Sequence, residues 1–581
     1  MRLWWFPLIV ACNGRCGRES EDCEQDDLRT FYLDSDGDGH GDPLEPVEEC
    51  ELPKGASTVG DDCDDQDGSA WVAASLWPDG DGDGHGAGDA VEVCLGAEGY
   101  SDVSGDCDDS DANRYPGAPT VCGDGADQDC DELPDCEALS GSAMVADVAT
   151  TRFYGDVGSG LGSAVAGLGD LNGDGLDDLA IGAPDASWGQ ALVYLSPPQA
   201  IEDVGGADTT LTAEVTDGSA TAIQLGASLA AADLTGDGVR DVLVGAGDGV
   251  RASMGSSIFI VPGPLSNGDI TVNDGVSALV IVAAGGRSML TDLDYAGSED
   301  MDLIAAGYGV SLIRGPVTSS GELEDLRSGE LNSSTERFGE ALALGDLYGD
   351  SELDLLVGSS LMEADLPGSE EIAEVGGAFV FGTSSDFHES ALGYYNYDDL
   401  AIYGLTDGAR LGAAAAFTGD QDGDGYDDIY VGAPGAEDDD GAATGAVYYF
   451  DGASLAALDQ ESEIYADAAT LTLFGGAAGD EFGAALLSGV DIDGNATLVV
   501  GAPGHDDETG AVALWYGQPS AGDTLYEADY RVSGTAEGDR FGATLANAGD
   551  TNGLGWDDLL IGAPGTSGGD GAGWLLVFDQ L

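Results

Sequence analysis

The stretch from Asp170 to Pro184, "DLNGDGLDDLAIGAP", contains two features in immediate succession. Its first nine residues place oxygen-bearing side chains at alternate positions around glycines, which is the pattern of a loop that binds a hard cation. The last six residues, "LAIGAP", are typical of a short apolar strand that ends in a tight turn. The stretch therefore predicts a cation loop that leads directly into a buried strand.

Degenerate copies of this stretch recur along the chain. The closing "GAP" or its equivalent begins at Gly182, Gly245, Gly307, Gly358, Gly432, Gly501 and Gly562. An "FG" or "LG" and a short apolar run precede most copies, and a further strand such as "GAVYYF" at Gly445–Phe450 follows each. Repeats of this length with several short strands each indicate a β-propeller, so seven repeats predict seven blades.

These motifs resemble the FG-GAP repeats of integrin alpha-subunit propellers over roughly residues 143 to 581. The resemblance implies an all-β, seven-bladed β-propeller whose cation loops join strand 1 to strand 2 of a blade. The last repeat ends after its third strand, whereas a strand-like segment precedes the first repeat. We therefore expect residues near Asp147 to Tyr154 to complete the last blade and close the ring, which removes the exposed edge.

The resemblance also implies Ca²⁺ in these loops, bound by side chains at positions 1, 3, 5 and 9 and by a carbonyl at position 7. The usable sets are Asp170, Asn172, Asp174, Leu176 (carbonyl) and Asp178 in blade 1; Asp233, Thr235, Asp237, Val239 (carbonyl) and Asp241 in blade 2; and Asp420, Asp422, Asp424, Tyr426 (carbonyl) and Asp428 in blade 5. The other four loops lose a ligand or the spacing, for example through Tyr348 in blade 4 and Leu554 in blade 7. We expect ions in blades 1 and 5 and a weaker site in blade 2; Asp-rich turns without metal are the alternative.

Charge limits the partners that this chain can have. Its 581 residues include 111 acidic and 16 basic ones, a net charge of -95. Such a surface repels nucleic acid and anionic membranes and attracts cations. Adaptation to high salt is a second explanation of the same charge.

The N-terminal region contains a different repeat. "LDSDGDGHGD" at Leu33–Asp42 recurs as "PDGDGDGHGAGD" at Pro78–Asp89, and "GDDCDDQD" or "SGDCDDSD" follows. EF-hand-like spacing predicts the ligands Asp34, Asp36, Asp38, His40 (carbonyl), Asp42 and Glu45 in the first copy, and Asp79, Asp81, Asp83 and His85 (carbonyl) in the second. Pro43 and Pro46 oppose the exiting helix of an EF-hand. Transition-metal binding by the two histidine rings is the alternative.

The segment that begins "GDCDDSDANRYPG" resembles metal-binding repeats of secreted bacterial proteins, some of them associated with copper, and is similar to thrombospondin type 3 repeats. Large apolar side chains are few here, so metals and disulfides must stabilise the fold. All ten cysteines lie between Cys12 and Cys136, which indicates disulfides in an oxidising compartment rather than a cytosolic zinc site. An acidic disordered spacer is the alternative.

The start, "MRLWWFPLIVAC", resembles a bacterial lipoprotein signal with Cys12 as the lipidated first mature residue; an ordinary secretory signal or a misplaced start is the alternative. The predicted organisation is a signal at 1–11, a linker at 12–30, metal-binding repeats at 31–140 and the propeller at 141–581. We expect an exported protein, either a lipoprotein of the cell surface or outer membrane or a secreted one.

No nucleophile motif or phosphate-binding loop accompanies the four histidines, so we expect no enzymatic activity. The sequence predicts a calcium-binding adhesion or recognition protein. The resemblance to integrin alpha propellers implies that its protein or glycan ligand would meet the blade ends opposite the cation loops, for example at Gly432–Val447 and Gly501–Val512. The alternatives are a metal-sequestering surface protein and the non-catalytic part of an extracellular lyase or phospholipase system.

Overall fold

The structure is a computed structural model that divides into two compact units, Met1–Glu137 and Ala138–Leu581. It describes residues 28–66, 73–88, 90–94, 97, 99–101, 103–112, 114–115, 130, 141–187, 189–195, 202–204, 207–212, 223–247, 257–272, 278–282, 288–293, 302–306, 309–322, 327–332, 337–365, 372–382, 400–438, 440–458, 462–492, 496–553, 555–565 and 570–577. The predicted signal, Cys12 and most of the linker lie outside the described residues.

The first unit contains two three-stranded antiparallel sheets. Their strands, with the central one second, are Pro46–Glu49, Arg29–Leu33 and Ala56–Ser57 in the first sheet and Val91–Cys94, Ala73–Pro78 and Tyr100–Ser101 in the second. Among the described residues of this unit, the buried apolar side chains are Phe31, Ala56 and Leu76. Disulfides join Cys63 to Cys94 and Cys107 to Cys130, which confirms the expected cross-links. Because so small a core stabilises little, these cross-links must contribute much of the stability.

The described residues of the second unit form seven blades, each with four antiparallel strands, which confirms the all-β propeller fold. In blades 1 to 3 the strands, innermost first, are Ala164–Gly169, Asp178–Ala183, Gln190–Tyr194 and Thr209–Thr212; Leu225–Ala232, Asp241–Ala246, Ser257–Val261 and Leu279–Val282; and Ser288–Leu293, Asp302–Ala306, Gly309–Arg314 and Arg327–Asn332. In blades 4 to 6 they are Leu342–Gly345, Asp354–Ser359, Gly377–Phe381 and Leu400–Tyr403; Ala414–Phe417, Ile429–Ala433, Ala446–Phe450 and Leu471–Phe474; and Ala485–Asp491, Ala496–Ala502, Ala511–Tyr516 and Tyr530–Ser533. Blade 7 consists of Thr544–Gly549, Asp558–Ala563, Asp570–Leu576 and Thr151–Val157.

The ring closes through the strand Thr151–Val157, which pairs antiparallel with Asp570–Leu576. Closure by a segment that precedes the first repeat is therefore confirmed, but its expected bounds were wrong. Asp147 lies in the helix Val145–Val148, and the closing strand begins at Thr151. The helix forms because Val145 and Ala149 pack into the apolar cluster of blades 6 and 7.

Five blades carry an additional outer strand that pairs in parallel with their fourth strand. These strands are Ile270–Thr271, Gly321–Glu322, Ser462–Tyr465, Gly141–Met144 and Glu202–Val204, on blades 1, 2, 4, 6 and 7 respectively. Each precedes the fourth strand of the next blade around the ring, so backbone hydrogen bonds link neighbouring blades at the rim. The other elements among the described residues are the hairpin Glu363–Asp365 and Ile372–Glu374, the helix Gly452–Ala456, the 3₁₀ turn Ala466–Ala468 and the turn His505–Glu508, in which Asp506, Asp507 and Glu508 have positive φ. Among the described residues, no helix has the length and apolar character needed to cross a bilayer.

The glycine of the "FG" or "LG" pair and the glycine of the "GAP" turn lie close together where neighbouring blades pack. The Gly162 N–H, at a φ of +88°, donates to the Gly182 carbonyl of its own blade at 2.9 Å. A Cβ at Gly562 of blade 7 would collide with the Gly162 carbonyl oxygen. Only glycine permits this backbone approach between blades. The apolar residues before the first glycine are buried at Leu161, Leu225, Phe338, Leu411, Phe482 and Phe541.

Candidate metal centres

The cation loop of blade 5 lies between its first and second strands and gathers the predicted side chains. Both carboxylate oxygens of Asp420 accept backbone N–H groups, Oδ1 from Gly423 at 2.7 Å and Oδ2 from Gly425 at 2.8 Å. Asp424 Oδ1 accepts the Tyr426 N–H at 3.0 Å. One oxygen each of Asp420, Asp422 and Asp424 lies within 4.8 Å of the other two. The loop therefore assembles positions 1, 3 and 5 of the predicted set.

Position 9 of this loop, Asp428, is fully buried at the start of the second strand. Its carboxylate accepts the N–H groups of Gly452 at 2.8 Å and Gln421 at 3.2 Å. Burial raises the pKa of Asp428, and desolvation together with the adjacent Asp424 carboxylate raises the pKa of Asp422. A bound divalent cation would stabilise both ionised carboxylates, and oxygen ligands alone suit a hard cation.

The blade 1 loop repeats this arrangement with an amide at position 3. Asp170 accepts the Gly173 and Gly175 N–H groups at 2.6 and 2.9 Å. Asn172 Nδ2 lies 3.1 Å from Asp174 Oδ2, so positions 3 and 5 are neighbours. Asp178 is fully buried and accepts the Leu171 N–H at 2.8 Å.

In blade 2 a hydroxyl replaces the carboxylate at position 3. Asp233 organises the turn through Gly236 and Gly238, at 2.8 and 2.7 Å. The Thr235 hydroxyl donates to Asp241 Oδ1 at 3.4 Å, and burial raises the pKa of Asp241. Asp237 and the Val239 N–H are joined at 3.0 Å, as in the other two loops. All three predicted sets therefore fold into the same turn.

Blade 4 forms this turn without a complete ligand set. Asp346 accepts the N–H groups of Asp350 at 3.0 Å and of Ser351 at 2.7 Å, with Ser351 at a φ of +66° where the complete loops have glycine. Tyr348 occupies position 3, and its backbone N–H donates to Asp354 Oδ2 at 3.2 Å. Burial raises the pKa of Asp354 to about 7. Hydrogen bonds thus suffice to form the turn. The blade 4 loop differs from the loops of blades 1, 2 and 5 in the side chain at position 3, where a tyrosine replaces a predicted ligand. Leu554 of blade 7 lies outside the described residues, as does Ala296, where the blade 3 loop lacks a predicted ligand.

The acidic residue at position 8 has a role that the sequence did not reveal. Asp177 Oδ2 of blade 1 accepts the Asp550 N–H of blade 7 at 2.9 Å, and the Asp177 N–H donates to the Asp550 carbonyl at 3.1 Å. Asp427 makes the same pair of bonds to Asp346 between blades 5 and 4, at 2.8 and 3.0 Å. Position 8 therefore attaches each of these loops to position 1 of the preceding one. In the sequence, this role could have been inferred only from the second acidic residue that stands beside position 9, Asp177 in "LDDL" and Asp427 in "YDDI".

The N-terminal loops bring together two clusters, Asp34 with Asp36 and Asp38, and Asp79 with Asp81 and Asp83, each with one oxygen per residue within 4.8 Å of the others. The structure does not bring the other two predicted side chains into the first cluster. Asp42 Oδ1 accepts the Leu44 N–H at 2.7 Å, and Glu45 is exposed immediately before the strand Pro46–Glu49. A strand rather than an EF-hand helix leaves this loop, as Pro43 and Pro46 indicated.

The histidine rings of these loops are engaged with other groups. His40 Nδ1 lies 2.6 Å from Asp61 Oδ1, and this hydrogen bond raises the pKa of His40. The His85 ring stacks on Tyr115 with 4.6 Å between ring centroids. The carbonyls of both residues at position 7 stay a prediction.

The opposite ends of the blades, where second strands lead to third strands, carry the predicted ligand loops. His505 in Gly501–Val512 places Nδ1 3.1 Å from Asp480 Oδ1, and its ring meets Tyr526 edge-on at 5.9 Å. Tyr526 is 53% exposed, and the Arg531 guanidinium lies 4.9 Å from its ring. Nearby, Glu481 pairs with Arg540 and, at 3.7 Å, with Arg410, which connects three blades. His388 lies outside the described residues.

Comparisons with known proteins match both parts of the chain. Residues 161–195 match the FG-GAP repeat, and residues 106–135 match the family described as "Putative metal-binding motif". The chain is 32% identical to integrin alpha-PS2 of Drosophila melanogaster over 224 residues, 38% of this chain and 15% of that protein. It is 36% identical to integrin alpha-IIb of Homo sapiens over 185 residues, 31% of this chain and 16% of that protein. These matches confirm the resemblance to integrin-type FG-GAP repeats and to the metal-binding motif.

The chain is also 30% identical to phosphatidylinositol-glycan-specific phospholipase D of Rattus norvegicus over 236 residues, 39% of this chain and 26% of that protein. It thus spans between 15% and 26% of the length of these relatives. Among solved structures, Chaetomium thermophilum Raptor aligns with 74% of this chain and 29% of that one, at 11% identity and a TM-score of 0.36.

Proposed function

We propose that this FG-GAP chain, similar in its propeller to integrin alpha subunits, is an exported calcium-binding adhesion or recognition protein without enzymatic activity. The observation that carries the proposal is the turn shared by the predicted oxygen-ligand sets of blades 1, 2 and 5, which in blade 5 brings one oxygen each of Asp420, Asp422 and Asp424 within 4.8 Å of one another. These sets contain no nitrogen or sulfur ligand, and that chemistry suits Ca²⁺. The disulfides of the first unit are consistent with an oxidising compartment outside the cytosol. Anchoring through a lipidated Cys12 is part of the same proposal.

In this account calcium fixes the turns at one end of the blades, and a protein or glycan ligand binds at the other end. The exposed ring of Tyr526, between His505 and Arg531, offers a flat apolar surface beside charged groups, which suits either ligand class. The ion pairs of Glu481 with Arg410 and Arg540 hold three blades together at this end.

The calcium proposal is tested by counting ions bound to the full chain and by measuring its thermal unfolding in Ca²⁺, Mg²⁺ or chelator. At a free Ca²⁺ concentration of 100 times Kd, each blade site adds about 2.7 kcal/mol to the free energy of unfolding. Asp424→Asn in blade 5 should remove one ion. Asp350→Asn, the matched control at the same position of blade 4, should remove none. An unchanged ion count in Asp424→Asn contradicts the assignment.

The ligand proposal is tested by screening glycans and cell-surface proteins against the full chain in Ca²⁺. Tyr526→Ala should abolish binding of any ligand found, whereas Tyr154→Ala, at a 44% exposed tyrosine on the fourth strand of blade 7, should leave it intact. Equal loss in both variants contradicts a site at the Tyr526 end.

Metal sequestration by the first unit is a second candidate function. The two three-aspartate clusters and the match to the metal-binding motif favour it. It predicts tight, selective Cu²⁺ or Zn²⁺ binding by the full chain that survives substitution of the blade ligands. Weak binding of both metals would exclude it.

A further inference from the structure

Six buried carboxylate oxygens in the first unit have no hydrogen-bond partner among the described residues. They are Oδ2 of Asp36, Asp38 and Asp62 in the first copy and Oδ2 of Asp81, Asp83 and Asp106 in the second. The other oxygen of each carboxylate accepts a backbone N–H: Asp62 Oδ1 from Asp64 at 2.9 Å, for example, and Asp106 Oδ1 from Asp108 at 2.8 Å. Each copy therefore contains three buried carboxylate oxygens that have no hydrogen-bond partner among the described residues.

Asp62 and Asp106 come from the "GDDC" and "SGDC" segments, outside the loops that EF-hand spacing identifies. Main-chain hydrogen bonds bring these segments to the loops. In the first copy Gly41 donates to the Val59 carbonyl at 3.0 Å, and the Asp62 N–H donates to the Gly41 carbonyl at 3.2 Å. In the second copy Gly86 donates to the Val103 carbonyl at 2.9 Å, and Gly105 donates to the Gly86 carbonyl at 3.1 Å.

A serine hydroxyl fastens the same two segments together in each copy. The Ser57 hydroxyl donates to the Gly39 carbonyl, and the Ser101 hydroxyl donates to the Gly84 carbonyl. Both serines belong to the segment that carries the extra aspartate. The second copy thus repeats the serine contact and the glycine-to-valine bond of the first, although the N–H that donates to the glycine carbonyl belongs to Asp62 in the first copy and to Gly105, the residue before Asp106, in the second. Such repetition is expected of a built site rather than of an incidental acidic surface.

The burial of these aspartates is costly unless a cation compensates for it. Asp62 is 3% exposed and Asp106 is 7% exposed. Burial raises the pKa of both, and the carboxylates of Asp38 and Asp36, or of Asp81 and Asp83, raise it further. A desolvated carboxylate that faces other carboxylates destabilises the fold unless a positive charge lies between them.

We propose that Asp62 and Asp106 are the buried ligands of two hard divalent-cation sites, completed by Asp36 and Asp38 in the first copy and by Asp81 and Asp83 in the second. Asp34 and Asp79, at position 1 of the two loops, also organise the turns as Asp420 does in blade 5, since both oxygens of each accept glycine N–H groups, at 2.7 and 3.2 Å in Asp34 and at 2.7 and 3.3 Å in Asp79. Asp42 and Glu45 are not ligands. The inference rests on cation binding by the first unit and is independent of the propeller sites.

Two disulfides of the first unit lie next to the proposed ligands Asp62 and Asp106. Asp62 directly precedes Cys63, which is bonded to Cys94, and Asp106 directly precedes Cys107, which is bonded to Cys130. Each disulfide therefore holds the backbone next to a buried ligand. Fixing a ligand in advance reduces the conformational entropy that metal binding must overcome.

The test is titration of the full oxidised chain by calorimetry and native mass spectrometry, with CaCl₂ as the probe and CuCl₂ in a parallel titration. Asp62→Asn and Asp106→Asn should each weaken one site at least about 10-fold, and the double variant should bind two fewer ions. Asp42→Asn and Asp61→Asn remove the same charge nearby and should bind as many ions as the parent. Thiol titration shows whether the disulfides formed. If Asp62→Asn exposes thiols, Asp36→Asn tests the same site from the loop side.

The proposal is overturned if the double variant binds as many calcium ions as the parent with unchanged affinity, or if Asp42→Asn removes an ion. It is also overturned if these sites take up Cu²⁺ but not Ca²⁺. Asp424→Asn in blade 5 removes a different ion. Loss of the two N-terminal ions in Asp62→Asn/Asp106→Asn, with no effect of Asp424→Asn, would support this inference while contradicting the propeller sites.

Discussion

Asp177→Ala removes the side-chain bond between the cation loop of blade 1 and that of blade 7. The lost interaction is the 2.9 Å hydrogen bond from the Asp550 N–H to Asp177 Oδ2; the backbone bond from the Asp177 N–H to the Asp550 carbonyl remains. A hydrogen bond to a charged acceptor contributes about 1.5–3 kcal/mol. Part of this is offset, because burial and the neighbouring Asp550 raise the pKa of Asp177 and so disfavour its ionised form. We expect the free energy of unfolding to fall by about 1–2 kcal/mol.

Asp177→Asn is the informative control because it keeps an oxygen acceptor and removes the charge. Since the ionised carboxylate is disfavoured at this site, the asparagine variant should be at least as stable as the parent at neutral pH. The assay is guanidinium unfolding of the full chain in chelator, followed by tryptophan fluorescence, to which the buried Trp574 of blade 7 contributes. Equal losses of stability in the alanine and asparagine variants would show that the charge of Asp177, and not its hydrogen bond, stabilises the contact between blades 1 and 7. No loss in Asp177→Ala would refute the role assigned to position 8.

Three other substitutions test the loops and the joints. The pKa of Asp354 is raised from 3.8 to about 7 in the folded protein. The contribution of Asp354 to the free energy of unfolding is therefore fully present below the pKa of the unfolded chain and is lost as the pH rises through the pKa of the folded protein. Asp354→Asn should therefore become progressively more stable than the parent above about pH 4. Denaturant unfolding of both proteins at several pH values tests this, and a difference in the free energy of unfolding that does not change with pH would contradict it. Tyr348→Asp with Ser351→Gly completes the ligand set of blade 4 and should add one calcium ion in native mass spectrometry, whereas Ser351→Gly alone should add none. Gly562→Ala should destabilise the propeller by about 1–3 kcal/mol or more because its Cβ would collide with the Gly162 carbonyl. Gly441→Ala, at a φ of +79° in open space, should lose only about 1–2 kcal/mol in the same unfolding measurement, and equal losses would argue against tight blade joints.

Local patterns predicted the cation loops well because a loop of nine residues contains most of its own geometry. Asp420 forms its turn with Gly423 and Gly425, and alternate spacing brings Asp422 and Asp424 to the same side. The N-terminal set was less predictable. Its spacing placed Asp42 and Glu45 at positions 9 and 12, whereas Asp62 approaches from a segment that the strand Ala56–Ser57 carries back to the loop. No local spacing encodes that return.

The sequence by itself determined the seven blades, the order of strands within each and the closing of the ring by a segment from before the first repeat. It did so because each repeat carries apolar strands, glycine turns and a cation loop whose geometry is local. Only the tertiary structure decided how the repeats join. It placed the Gly562 Cα against the Gly162 carbonyl, attached Asp177 to Asp550 across the closing seam, and began the closing strand at Thr151 rather than near Asp147. These contacts join residues far apart in the chain, and their energies depend on burial and close approach, which arise only when neighbouring blades pack.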